Sequence, residues 1–77
     1  MDTQERAQKD LDKLRSILGE FKQLGLGKKY PAVLDWAANY FSDAQHFFEQ
    51  GDFFSAFGAA NYAYGIIDAA LIIEKKK

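Results

Sequence analysis

Cysteine is absent from this 77-residue chain. That excludes disulfide staples, thiolate zinc sites and a cysteine nucleophile. One histidine and one proline are present. A lone imidazole cannot by itself assemble a zinc site, which needs three or four protein ligands. Charge is nearly balanced, with a formal net charge of -1. No global field draws the chain to nucleic acid. The Met1–Lys9 segment is charged, so no signal peptide is expected. Ser55, Asn61 and Asp68 interrupt the longest apolar stretches. No run approaches the roughly 18 apolar residues of a membrane span. A soluble, cytoplasmic protein is the expectation.

What the chain has is aromatic weight: seven Phe, four Tyr and one Trp. A chain this short forms one domain, residues 1–77, and its core is marginal unless it packs densely or oligomerises. Large aromatic areas help to offset that deficit.

Helical periodicity runs almost throughout. Asp2 is placed as an N-cap, with Glu5 three residues on in a capping-box pattern. Ala7, Leu11, Leu14, Leu18 and Phe21 then form a narrow apolar stripe. Gly25 suits a left-handed helix terminus, with Leu26 folding back onto Phe21. Gly25–Tyr30 reads as the one real connector, and Pro31 fits the first turn of the next helix. Val33, Trp36, Ala37, Tyr40, Phe41, Ala44, Phe47 and Phe48 share one broad face of that helix, which is expected to lie in the core with the opposite side in water. Gly51 can end it, and Asp52 can cap the helix that follows. From Phe53 to Ile73 the chain is apolar almost all the way round. The pattern predicts an all-α fold. Its three helices, near 3–24, 32–50 and 53–74, form an up-down-up bundle. A tight antiparallel hairpin joins helices 2 and 3, and the third helix is expected to be the most buried.

Tyr40–Ala69 carries Asp43-Ala44, Phe48-Glu49, Gly51-Asp52-Phe53, Ala56-Phe57, Tyr62-Ala63-Tyr64-Gly65 and Asp68-Ala69. This stretch resembles a small archaeal helical family known only as a domain of unknown function, number three-five-seven in the usual series. Residues 2–26 match it only as a generic N-terminal helix. The resemblance implies an all-helical fold. It implies no activity and transfers no site residues. The hairpin is also similar, more weakly, to the nucleotide-binding helical domains of toxin–antitoxin systems. Their ribonuclease members need an Arg shortly ahead of a His. Here Asn39, Tyr40, Phe41 and Ser42 precede His46, and none is Arg.

Candidate sites are few. His46, Asp43 and Gln50 share the polar side of the second helix, a surface arrangement with no nucleophile beside it. Asn61 and Asp68 lie two turns apart on the third helix. They read as a structural polar network, reaching Tyr40, Tyr64 or the connector, rather than as a ligand pocket. Asp68 is expected to be largely buried. Gly58 and Gly65 on the same side suggest a close helix crossing, within the fold or across a dimer. Lys28-Lys29 and Lys75–Lys77 are the basic clusters. Gly25–Lys29 lacks the spacing and the hydroxyl of a phosphate loop.

No catalytic, cofactor or metal residue is assigned. The expected role is a non-catalytic helical interaction module, a homodimer or a docking site for an unidentified protein. Tyr62, Ile66 and Ile73 are its candidate surface. The alternative is a small anion-, nucleotide- or nucleic-acid-binding helical domain without nuclease activity. Nucleic acid is disfavoured, because the Trp36/Tyr40/Phe47/Phe48 stripe has no basic residues interleaved.

Overall fold

A computed structural model describes residues 2–77. The expectations for the 1–77 domain and the Met1–Lys9 segment include Met1, which lies outside the described residues. The fold is all-helical: α1 spans Thr3–Gln23, α2 Leu26–Lys29, α3 Pro31–Glu49 and α4 Phe53–Ile73. The three long helices start and stop close to where their sequence signals stand. The addition is α2, a single turn inside the stretch read as a connector.

Local chemistry sets each boundary. The Asp2 carboxylate accepts a hydrogen bond from the Glu5 amide at 2.7 Å, so α1 is capped as expected. Asp52 caps α4 in the same way, accepting from the Ser55 amide at 3.2 Å. Pro31 occupies the first turn of α3, where no amide donor is needed. Gly25 and Gly51 hold φ of 77° and 80°. At the end of α3, the Gly51 amide donates to the Phe48 carbonyl at 3.0 Å and the Asp52 amide to Phe47 at 2.9 Å. This pair of bonds is a Schellman motif. The end of α4 repeats it. Lys75 donates to Ile72 and Lys76 to Leu71, with Lys75 itself left-handed at φ 59°.

The core is unevenly supplied. Leu11, Leu14, Ile17, Leu18 and Phe21 of α1 provide large buried side chains. Helix α3 buries only Ala37 and Ala44. Helix α4 buries Ala56, Ala60, Ala63 and Ala70 with Ile67 and Leu71. Alanine lets α3 and α4 approach closely, and the bulk of α1 and Leu26 fills the space beside them. Each long helix contacts the other two.

Two expectations about burial are corrected. The third long helix is not the most buried, since α4 and α1 each bury six residues of 21. An alanine face is narrow, so much of α4 remains outside. The broad aromatic face of α3 is likewise not a buried face: Trp36 is exposed, and Tyr40, Phe41, Phe47 and Phe48 are half-buried.

Gly58 and Gly65 are exposed, and a Cβ built on either meets nothing within 4 Å. The close approach expected there is absent within the chain. It occurs instead at Gly27 on α2, where a Cβ would come 2.9 Å from Leu34 Cδ2.

Cross-helix contacts fix the register. Tyr30, at the head of α3, donates to Glu74 just past the end of α4. Phe48, near the end of α3, meets Phe53 at the start of α4, with ring centroids 5.0 Å apart. Between α1 and α4, Arg6 lies over Phe57, Asn61 donates to Asp10, and Lys13 lies over Tyr64. Each of these pairs is separated by 51 positions.

Candidate interaction surface

Among the described residues no polar or charged residue is buried. The chemistry of this fold is therefore on its outside. His46 and Asp43 are exposed on α3, and Gln50 is exposed just past its end. No group of three His, Cys, Asp or Glu side chains among the described residues could hold a metal ion.

Asn61 and Asp68 do not share a network. Asn61 is exposed, and its side-chain amide donates to Asp10 at 3.1 Å and to the Phe57 carbonyl at 2.9 Å. Asp68 was expected to be buried. Its side chain is instead 29% exposed and forms an ion pair with Lys77. The two residues turn toward the α1 edge of α4 at different heights, so each finds its own partner. Neither Tyr40 nor Tyr64 serves as that partner.

The two basic clusters come to one end of the molecule, where carboxylates hold part of them. Lys29 Nζ lies 2.7 Å from Glu74 Oε1, and the Tyr30 hydroxyl donates to the same oxygen. The Glu74 side chain is only 16% exposed. Hydrogen bonds from Lys29 and then Tyr30 hold the Glu74 carboxyl below its ordinary range. The same carboxylate raises both the Lys29 ammonium and the Tyr30 phenol. At Lys77, the hydrogen bond to Asp68 raises the ammonium above its usual value.

Sequence reasoning missed the cations on α1. Arg6, Lys9 and Lys13 line an open cleft of about 410 Å³ against Phe57 and Asn61, with Asp10 among them. Lys13 continues into a neighbouring cleft of about 240 Å³ that reaches Tyr64 and Lys77. Guanidinium and ammonium groups cover the rings here: Arg6 stands 5.0 Å from the Phe57 centroid and Lys13 4.8 Å from Tyr64. Such pairs are attractive but modest at exposed sites. The 3- and 4-residue spacings of Arg6, Lys9 and Lys13 were the available signal.

The opposite edge of α4 is apolar. Tyr62, Ile66, Ala69 and Ile73 recur at helical spacing on the side facing α3. Tyr62 and Ile73 are exposed, and Ile66 is half-buried. The Tyr62 ring lies 4.6 Å from Tyr40, whose ring stacks on Trp36 at 5.9 Å. The candidate surface thus extends across the α3/α4 seam, and Trp36 belongs to it. Further round α4, Phe54 and Ile72 are exposed as well. The outer side of α4 carries Phe54, Gly58, Asn61, Tyr62, Gly65, Ala69, Ile72 and Ile73, all exposed and none charged.

Its 21 residues contain one charge, Asp68. By length and composition α4 is long and apolar enough to cross a membrane, contrary to the expectation from interrupted runs. Polar Ser55 and Asn61 shorten those runs without lowering the average enough to matter. The core helix of a soluble protein passes the same test, and one side of α4 is packed on α1 and α3.

No curated protein matches the chain. The family model described as "Protein of unknown function (DUF357)" matches residues 4–75. The match takes in α1, which by sequence reasoning resembled the family only generically. The chain therefore belongs to the DUF357 family of proteins of unknown function.

Proposed function

We propose that the protein is a non-catalytic helical interaction module, soluble and cytoplasmic, which docks a protein through the outer side of α4. One observation carries the reading: that side is exposed along the whole helix and has no charged side chain. Contiguous apolar surface on a small soluble protein marks interaction sites. We read the long helices as an up-down-up bundle. The head-to-tail contacts Tyr30–Glu74 and Phe48–Phe53 support opposed α3 and α4. The constant offset between α1 and α4 supports a shared direction for those two. In this reading α4 is a core helix with one open side, not a membrane span. Anion binding at Arg6, Lys9 and Lys13 is the weaker reading, because aromatic rings and Asp10 already engage that edge.

Affinity capture from a native extract tests the proposal. Wild type and the Tyr62→Glu variant serve as paired baits. A companion retained by wild type and lost by the variant supports docking at this surface. Identical companions on both baits, or none on either, would overturn it.

A further inference from the structure

We propose that the lysine-rich end of the bundle docks this protein on an anionic lipid surface, with Leu24, Ile72 and Ile73 entering the headgroup layer. The reading goes beyond protein docking along α4 and uses the end of the molecule instead. Residues 22–30 and 74–77 carry six lysines, Lys22, Lys28, Lys29, Lys75, Lys76 and Lys77, against one acid, Glu74. All six are exposed. The chain gathers them at one place. The Gly25 amide donates to the Lys22 carbonyl at 3.0 Å, α2 follows, and Lys29 reaches Glu74 at 2.7 Å. Lys29 and Lys77 are paired with carboxylates. Among the described residues, Lys22, Lys28, Lys75 and Lys76 form no ion pair. Glu20, Asp35 and Asp68 stand farther along α1, α3 and α4.

The net charge of -1 conceals this pole. In the bundle as read above, Asp2, Glu5, Glu49 and Asp52 lie at the opposite end, and residues 2–5 and 49–52 contain no Lys or Arg. The molecule is 35 Å long and 21 × 16 Å across. Its length is about four Debye lengths at physiological salt, so the acidic end does not cancel the basic one. An anionic surface attracts one end and repels the other, which stands the bundle upright on it.

The chemistry of this end selects lipid over nucleic acid. Lysines complement the negative ends of α1 and α4. That role requires no apolar neighbours, yet Leu24, Ile72 and Ile73 are 41%, 59% and 73% exposed among them. A hydrated polyanion offers these side chains no apolar phase, whereas a bilayer interface does. Every cation here is lysine, a hydrated point charge on a flexible stem. Fixed recognition of phosphate or carboxylate favours the planar arginine fork, and a diffuse layer of lipid charge does not require it. Bases would also need a stacking platform. Tyr30 is the one aromatic residue in these segments, and it is half-buried with its hydroxyl on Glu74.

Co-sedimentation of the whole chain with vesicles tests the proposal. A lysine near such a surface contributes roughly fivefold in affinity. The four unpaired lysines should therefore favour equimolar phosphatidylcholine–phosphatidylserine vesicles over pure phosphatidylcholine on the order of several hundredfold, and added salt should abolish the preference. Lys28→Gln with Lys76→Gln removes two of these charges and should weaken binding about 25-fold. Arg6→Gln with Lys9→Gln makes the same change in net charge, about 20 Å or more along α1 from Lys22, and should bind like wild type. Ile72→Ser keeps every charge and should weaken binding severalfold. Circular dichroism confirms that each variant is folded. Wild type with no preference for anionic vesicles overturns the proposal. So does equal weakening by the Arg6 and Lys9 pair, or Ile72→Ser binding vesicles as well as wild type. Tighter binding to mixed-sequence single-stranded RNA than to anionic vesicles overturns it in favour of nucleic acid.

Discussion

Replacing Gly51 with Val should destabilise the protein by strain in the backbone alone. Gly51 sits at φ 80°, and a Cβ there would meet nothing within 4 Å. No steric clash contributes, so the loss measures the left-handed conformation itself. For residues with a Cβ that conformation costs about 1–2 kcal/mol, and a β-branched side chain lies at the upper end. In a domain of this size each kcal/mol moves the melting temperature by about 4–8 °C. Gly51→Val should therefore melt roughly 5–15 °C lower. Gln50→Ala is the control: Gln50 is exposed and right-handed. The other Schellman turn supplies the converse. Lys75 occupies the equivalent position at φ 59° with the same two hydrogen bonds. Lys75→Gly should relieve strain and raise the melting temperature slightly, by less than about 1 kcal/mol, because glycine loses more chain entropy on folding. Thermal unfolding followed at the helical circular dichroism band reads all three variants. Melting of Gly51→Val within about 2 °C of Gln50→Ala would refute the reasoning, since one kcal/mol shifts a domain this small by more than that.

The other predictions concern the core, the Glu74 contact and metal content. Phe21 is fully buried, and Phe21→Ala should cost about 3–5 kcal/mol, enough to unfold much of a small domain at room temperature; urea denaturation reads the loss. The Glu74 contact gives a pH signature with two limbs. Its carboxyl is depressed on folding, so its contribution is present above the ordinary carboxyl value of 4.5 and disappears as pH falls through the lower folded value. Lys29 and Tyr30 are raised, so theirs is present below 10.5 and 10.0 and disappears as pH rises through the higher folded values. Glu74→Gln should flatten both limbs of a plot of melting temperature against pH, and an unchanged profile would contradict the assignment. Elemental analysis of purified protein should find no stoichiometric transition metal; one tightly held zinc per chain would overturn this and point to His46 with Asp43.

Much of the architecture could be read from local chemistry. The Asp2 and Asp52 caps, Pro31 at a helix start, and Gly25 and Gly51 beyond helix ends act within a few residues of chain. Each signal is complete in the sequence because each interaction is local. The Ala7–Phe21 stripe was legible for the same reason: a narrow apolar stripe leaves one choice of buried side. The one-turn α2 was not legible, since four residues carry no period. Leu26 is held there by burial against the core.

The surface was harder to read. Tyr62, Ile66 and Ile73 could be named because they fall off the main stripe of α4, but Trp36 was assigned to the core with its helical neighbours. A helical wheel shows which residues share a face. It does not show how wide a face the neighbouring helices cover. Here alanines at Ala37, Ala44, Ala56, Ala60, Ala63 and Ala70 set a narrow contact and leave the aromatic margin in water. Asn61 and Asp68 show the same limit for polar groups. Their spacing was visible, but partners 51 and 9 positions away depend on which helix edge each one meets. By itself the sequence determined helix type, helix ends and the α1 core stripe, because those rest on contacts within a turn or two. Only the tertiary structure decided which apolar residues remain exposed and which charges meet, because those depend on the distance and register between helices far apart in the chain.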